Sequence, residues 1–277
     1  MPKQIGFLGP VGTFGHEAAK TWLPEGPHVP YPSHLHVLEA VEKNEVSLGV
    51  VAVENSIDGP VTDVLDYLIH DARRVRVCGE VVMNISQCLW GRHGTVLEDV
   101  QVVFSHPKGL GQCAKNIHAL FPKAKQIATD STAGAVIQML ESDVPAVAIA
   151  GKAAAQEGAV ILQENVQDRQ RNSTRFWVVG RRSARPTGCD KTSLAFETFK
   201  DKPGALLTIY AIFAARGLNL SRMESRPAKT ALGQYVFLVD VEAHREDLEL
   251  KDALVAARRC TSRLKVFGSY PQWREQA

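Results

Sequence analysis

"LGVVAVENSIDGPVTDVLDYL" occupies residues 48–68, and its reading decides the fold class. Leu48 to Val53 is an unbroken apolar run, the pattern of a strand buried on both faces. Val64, Leu65 and Leu68 then recur at helical spacing, with Pro60 expected in the first helical turn. The same alternation appears on either side. Ile5 to Leu8 precedes a Gly-rich turn and a helix through Ala18 and Trp22. Val100 to Phe104, Ala146 to Ile149 and Phe176 to Val179 are further buried-strand candidates, with helices around Gln112 to Leu120 and Thr132 to Leu140. Alternating strands and helices predict an α/β architecture with mostly parallel sheets.

Residues 181–191, "RRSARPTGCDK", are polar and lack apolar periodicity, so they read as a linker. After them, Thr192 to Phe199 predicts a strand. Leu206, Ile209, Tyr210 and Phe213 predict a helix, with Pro203 at its first turn and Gly217 at its end. Leu218 to Ser225 and Gln234 to Glu242 predict two more strands. Leu250, Leu254 and Ala257 mark a second helix, and Leu264 to Phe267 a last strand. The order βαββαβ is that of a ferredoxin-like unit.

The chain has 277 residues, 45% hydrophobic and 22% charged, which fits about two globular domains. A net charge of +2 with scattered basic residues argues against a nucleic-acid footprint. No apolar run reaches the roughly 18 residues of a membrane span. Cys78, Cys88, Cys113, Cys189 and Cys260 are odd in number and widely spaced, which predicts reduced thiols and a cytoplasmic setting. The first residues, with a broken apolar stretch and then His16, Glu17 and Lys20, do not read as a signal peptide. The nine histidines form no HExxH pattern, and no metal site is expected.

What recurs is a strand end furnished with polar groups, the place where open α/β sheets bind ligands. Glu54, Asn55 and Ser56 follow the strand at 48–53; Asn55, Ser56 or Asp58 could also cap the next helix. Ser105 follows Phe104, and Gln112 lies on the first turns of the following helix; His106 reads as structural. Asp130, Ser131 and Thr132 stand at a helix start, and the glycines at 6, 9, 12 and 15 shape a strand-to-helix turn suited to an anion. Asn172, Thr174 and Arg175 precede the strand at 176–179. Hydroxyls, amides and one carboxylate suit a small polar anion and hydrogen-bond catalysis.

"GPVGTF" (9–14), "VENSIDGPV" (53–61), "SHPKGLGQC" (105–113), "STAGA" (131–135) and "NSTRF" (172–176) resemble the motifs of prephenate dehydratase, in family order. "DKPGALL" (201–207), "ESRP" (224–227) and "GSYPQW" (268–273) resemble those of its C-terminal ACT regulatory domain, as in the monofunctional bacterial kind. Departures fall at Gly15, Lys108 and Val53, where the family commonly has Ser, Gln and Ile; they bear on substrate preference and rate.

The resemblance implies a two-lobed, periplasmic-binding-protein-like α/β catalytic domain over residues 1–182. Its lobes are expected at about 1–77 plus 163–182 and at 78–162, with the site between them. A linker at 183–191 and an ACT domain at 192–277 complete the chain. The implied catalytic set is Thr174, Glu54, Asn55, Ser105 and Gln112. Thr13, Phe14, Ser56, Ser131, Thr132, Asn172, Arg175 and Phe176 are implied substrate contacts. The implied reaction is decarboxylative dehydration of prephenate to phenylpyruvate in phenylalanine synthesis, with no cofactor and with Thr174 as the acid. Arg175 is expected either to hold the pyruvyl carboxylate or to form a structural ion pair. Gly204, Ala205, Leu206, Leu207, Asn219, Glu224, Ser225, Arg226 and Pro227 are implied to bind L-phenylalanine as feedback inhibitor, in a homodimer or homotetramer formed through ACT and catalytic domains. Alternatives are an arogenate dehydratase, a non-aromatising prephenate decarboxylase, and a non-catalytic amino-acid sensor.

Overall fold

The computed structural model describes residues 3–199, 202–231 and 233–274. Lys200 and Asp201, the latter within the "DKPGALL" motif, lie outside the described residues. Two compact units result: Met1–Val37 with Gly49–Val61 and Val82–Phe176, and Leu38–Leu48 with Thr62–Val81 and Trp177–Ala277.

In the first unit, β1 (Ile5–Leu8) leads into α1 (Phe14–Trp22) and pairs in parallel with β2 (His28–Tyr31). The helix α2 (His34–Lys43) precedes β3 (Leu48–Asn55), which runs two residues beyond its apolar core. Gly59–Pro60 forms the short β4, folded back so that Pro60 pairs with Glu54. Pro60 therefore does not open the next helix, α3 (Thr62–His70), which starts two residues later. The expected helix start fails because the turn after β3 returns as a strand before turning helical.

After β5 (Arg76–Asn84), a second sheet has the order β10-β6-β9-β7-β8, from β6 (Cys88–Arg92), β7 (Val102–Ser105), β8 (Lys125–Ala128), β9 (Ala146–Ala150) and β10 (Ala159–Gln163). β7 pairs in parallel with β8 and β9, as predicted, while β6 runs antiparallel. Every residue of β9 is buried, because its small side chains admit α6 (Thr132–Glu141) against one face. Ala133, Val136 and Met139 supply that packing. The predicted helix through Gln112 divides into α4 (Pro107–Gln112) and α5 (Ala114–Leu120), so Gln112 ends α4 instead of beginning a helix. The last strand of this part is β11 (Ser173–Gly180).

The second unit contains α3, introduced above, together with β12 (Asp190–Thr198), α7 (Ala205–Ala214), β13 (Leu220–Pro227), β14 (Tyr235–Val241), α8 (Leu248–Cys260) and β15 (Thr261–Pro271). The predicted βαββαβ order holds, and the antiparallel sheet runs β13-β14-β12-β15. Ile209 and Phe213 of α7 and Leu250, Ala253 and Leu254 of α8 cover one face, against Leu194, Phe196, Val239 and Val241. Each fully buried large side chain of that set contributes about 1.5–3 kcal/mol. The sheet's basic side chains meet α3 of the same unit. Arg226 Nε and Lys229 Nζ lie 2.8 and 2.6 Å from the Asp66 carboxylate. Lys265 Nζ donates to the carbonyls of Ile69 and Ala72, and Arg263 to that of Ile69, at the helix C-terminus where cations are favoured. α7 starts at Ala205, with Gly204 as its N-cap at a left-handed φ of 80°, so Pro203 precedes the helix instead of standing in its first turn.

Candidate active site

A cavity of about 570 Å³ lies within the first unit, lined by the ends of β1, β3 and β11 and the starts of α1, α4 and α6. Its polar core is a hydrogen-bond chain whose direction is fixed at both ends. Asn55 Oδ1 accepts from the backbone N–H groups of Ile57 and Asp58, both at 2.9 Å. Backbone amides only donate, so the amide nitrogen of Asn55 must face the other way. It donates to Asn172 Oδ1 at 2.7 Å and to Thr174 Oγ1 at 2.9 Å. At the far end, Gln112 Nε2 donates to the Asp58 carboxylate at 3.0 Å. Gln112 Oε1 then accepts from Asn172 Nδ2 at 3.1 Å and from Gln87 Nε2 at 3.3 Å.

Both anchors agree on every amide orientation. Thr174 sits at the open end: its oxygen accepts from Asn55, and among the described residues its own hydrogen has no acceptor. A threonine held this way presents its O–H to the cavity that it lines. Donation into its oxygen also polarises that O–H bond.

The remaining candidates divide. Thr13, Phe14, Ser131, Thr132 and Phe176 line the cavity, but two of the hydroxyls already serve the fold. Thr13 caps α1 and donates to the Leu8 carbonyl; Ser131 caps α6 by accepting from Gly134 N–H. Ser56 ties the turn to β11, its Oγ accepting from Ser173 N–H at 2.9 Å. Ser105 is fully buried and outside the lining; its hydroxyl donates to the Ile149 carbonyl at 2.7 Å. A side chain at Gly109 would run into that hydroxyl, which explains the glycine.

Arg175 and Glu54 are outside the lining as well. Arg175 Nη1 lies 3.2 Å from Glu54 Oε1, with the arginine side chain 9% exposed. Of the two arrangements expected for Arg175, the geometry is that of the ion pair, for a reason of period: along β11, Thr174 and Phe176 line the cavity and Arg175, between them, does not. Sequence reasoning also missed several cavity residues, among them Tyr31, His34, Asp58, Gln87 and Lys108. Asp58 had been assigned to capping, Gln87 carried no motif, and Lys108 was noted only as a departure. Lys108 supplies a cation to the lining. His106, read as structural, caps α4 with its Nδ1 accepting from Lys108 N–H, and it also lines the cavity; burial followed by the charge of Lys108 lowers its pKa.

The second unit has its own cavity of about 580 Å³. Gly204, Ala205, Leu206 and Leu207 line it, with Phe199, Tyr235 and Phe237 as an aromatic wall and Glu197 and Lys202 at its polar edge. Asn219, Glu224, Ser225, Arg226 and Pro227 do not line it. Asn219 Nδ2 donates to Glu242 instead. Glu224 lies between Arg222 at 2.6 Å and Arg226 at 3.4 Å, and Arg226 continues to Asp66. Among the described residues no cluster of side chains is arranged to hold a metal ion, and no helix is long and apolar enough to cross a membrane.

Residues 5–184 match the family described as prephenate dehydratase, and residues 198–259 match the ACT domain. The bifunctional chorismate mutase/prephenate dehydratase of Aquifex aeolicus is 38% identical over 271 residues, covering 97% of this chain and 74% of that protein. The prephenate dehydratase of Methanocaldococcus jannaschii is 36% identical over 282 residues, covering 98% and 99%. The crystal structure of the Arthrobacter aurescens prephenate dehydratase in complex with L-Phe matches with a TM-score of 0.88 at 34% identity, covering 97% of this chain and 90% of that one.

Proposed function

The chain belongs to the prephenate dehydratase family, and on that premise we propose how its cavity converts prephenate to phenylpyruvate, CO₂ and water. Prephenate bears a hydroxyl on one ring carbon, and a carboxylate and a pyruvyl arm on the opposite one. As the ring carboxylate leaves as CO₂, its electron pair moves through the ring and expels the hydroxyl. Aromatisation drives the step, so no general base is needed. The obstacle is the poor leaving group.

Thr174 carries the proposal. Its hydrogen points away from Asn55 because its oxygen is already an acceptor, which supports a donor role toward the leaving oxygen. A threonine hydroxyl is a weak acid, so Thr174 stabilises charge on that oxygen by hydrogen bonding. The one proton consumed per turnover passes to it from solvent. Lys108 takes the pyruvyl carboxylate. It lies four residues from Gln112 on α4, about 6 Å along the helix, so cation and hydroxyl-binding end are spaced for opposite ends of one ring. A cation on the departing carboxylate would stabilise the ground state more than the transition state.

In the second unit, Lys202 and Glu197 suit the carboxylate and ammonium of an amino acid, and Phe199, Tyr235 and Phe237 suit an aromatic side chain. We assign that cavity to L-phenylalanine as feedback inhibitor. We take the domains as 1–182 and 192–277, joined by 183–191, with the first strand of the second, β12, beginning two residues earlier at Asp190. Copies pair across the exposed β13 edge, where Met223 is 59% exposed. The five free thiols fit the cytoplasm.

The test is incubation of purified protein with prephenate, following phenylpyruvate absorbance in alkali, and separately with arogenate, following phenylalanine by chromatography. Thr174→Ala should lower kcat by about 10² or more with an unchanged melting curve. Near-normal kcat in that variant would refute the assignment, and faster turnover of arogenate would favour the arogenate dehydratase reading.

A further inference from the structure

Gln87 stands just before β6 and lines the cavity, yet it is only 2% exposed. Its backbone is held on both sides: its N–H donates to Gln167 Oε1 at 2.9 Å, and its carbonyl accepts from Val166 N–H at 2.9 Å. Its Nε2 donates to Gln112 Oε1. That assignment cannot be reversed, because Gln112 Oε1 is fixed as an acceptor from the Asp58 end of the chain. Gln87 Oε1 is thus a buried acceptor, and among the described residues it has no hydrogen-bond partner. A buried acceptor left unmatched is destabilising, so its persistence in a ligand cavity points to a ligand donor.

The chemistry of prephenate limits which donor that is. At neutral pH its two carboxylates and keto group only accept. The ring hydroxyl is its sole donor. Among the described residues the cavity therefore contains a complementary pair, Thr174 O–H without an acceptor and Gln87 Oε1 without a donor, both attached to Gln112 and Asn172 through one chain. A hydroxyl has the chemistry for both, an oxygen to accept from Thr174 and a hydrogen to give to Gln87.

We propose that Gln87 is a further catalytic residue, accepting the hydrogen of the departing ring hydroxyl while Thr174 donates to its oxygen. The inference rests on the prephenate reading above. As the C–C bond to the ring carboxylate breaks and its electrons displace the C–O bond, the oxygen leaves as water. It keeps its original hydrogen, held on Gln87, and gains one proton on the Thr174 side. Gln87 also fixes orientation. A ring turned end for end would set a carboxylate against Oε1, acceptor against acceptor, so the hydroxyl is selected for this end.

The test compares Gln87→Met, which removes the acceptor, with Gln87→His, which retains a neutral donor and acceptor. Expected are a fall in kcat/KM for prephenate of about tenfold or more in the Met variant and recovery of most of it in the His variant. Phenylpyruvate lacks the ring hydroxyl, so its Kd by calorimetry should stay within about twofold in both variants. Gln87→Met turning over prephenate within about twofold of the parent overturns the proposal, as does an equal weakening of phenylpyruvate, which marks a packing role. If Gln87→Met is unstable, a Gln87→His variant no better than Gln87→Leu also overturns it. Failure of the parent protein to form phenylpyruvate is a different result, removing the reading on which the inference stands.

Discussion

Asn55→Asp changes one nitrogen to an oxygen, and the cavity's wiring makes it a severe substitution. The retained oxygen still accepts from the Ile57 and Asp58 amides, so the turn after β3 keeps both bonds. The other oxygen replaces a donor. It faces Thr174 Oγ1 and Asn172 Oδ1, which Asn55 Nδ2 now reaches at 2.9 and 2.7 Å. Thr174 can then donate to the new carboxylate, a charge-assisted bond worth about 1.5–3 kcal/mol. That bond must be given up before the hydroxyl serves the substrate, a cost of about 10- to 150-fold in rate. Losing the donation into Thr174 removes about 1 kcal/mol more of polarisation. Rotation of the Asn172 amide would relieve one clash but set Asn172 Oδ1 against Gln112 Oε1. Rotating Gln112 in turn would set its oxygen against the Asp58 carboxylate, which cannot donate. The conflict can be moved along the chain but not removed.

The expected result is a kcat roughly 10²–10³ below the parent, with a melting temperature within a few degrees. Steady-state kinetics with prephenate and a thermal melt on the same sample measure both. Lowering the pH gives an independent check: protonation makes the new carboxyl a donor again, so the variant's kcat should recover toward acid relative to the parent. A variant with near-normal kcat and a pH profile parallel to the parent's would refute the claim that chain polarity aims Thr174.

Arg175→Lys should lower the melting temperature and leave KM for prephenate nearly unchanged, because the arginine holds Glu54 beneath the site; a large KM increase with normal stability would restore the carboxylate-binding role. Burial alone would raise the Asp66 pKa, but hydrogen bonds from Arg226 and Lys229 hold it below its ordinary value. Its contribution to stability is present above the unfolded carboxylate pKa of about 3.9 and lost as pH falls through the lower folded value. Asp66→Asn should therefore destabilise at neutral pH by about 1–2 kcal/mol and flatten the acid limb of a denaturation series; an unchanged limb would rule out the pair as its source. Gly204→Val meets open space but demands a left-handed φ of a β-branched residue. It should weaken L-phenylalanine inhibition, and unaltered affinity by calorimetry would separate the α7 cap from the effector site.

The α/β alternation was legible because strands buried on both faces leave contiguous apolar runs, as Leu48 to Val53 and Ala146 to Ala150 do. The second unit was legible for the opposite reason, alternating residues in a sheet with one face on helices. Pro60 misled because a proline suits a helix's first turn and an edge bridge equally, and only the pairing with Glu54 decides. The inward and outward faces of "STRF" could have been counted from period two, yet a cation at a strand mouth suggested a ligand more strongly than its phase suggested a partner.

The chain of amides could not be read in advance, since its links join residues 55 to 172, 172 to 112, 112 to 87 and 112 to 58. Motifs revealed Asn55, Gln112 and Asn172 separately but not their direction of donation. That direction is local in origin: the backbone amides of Ile57 and Asp58 set one end, and the Asp58 carboxylate sets the other. A four-residue turn thus orients side chains drawn from over a hundred residues away. It follows that Asp58→Asn, at an exposed position, should perturb turnover although it touches neither Thr174 nor Gln87. An amide there can donate as well as accept, so Gln112 gains a second permitted orientation, and Thr174 and Gln87 lose their fixed sense together. A fall in kcat for Asp58→Asn with an unchanged melting curve would support this wiring, and wild-type kinetics would show that the chain keeps its direction without its outer anchor.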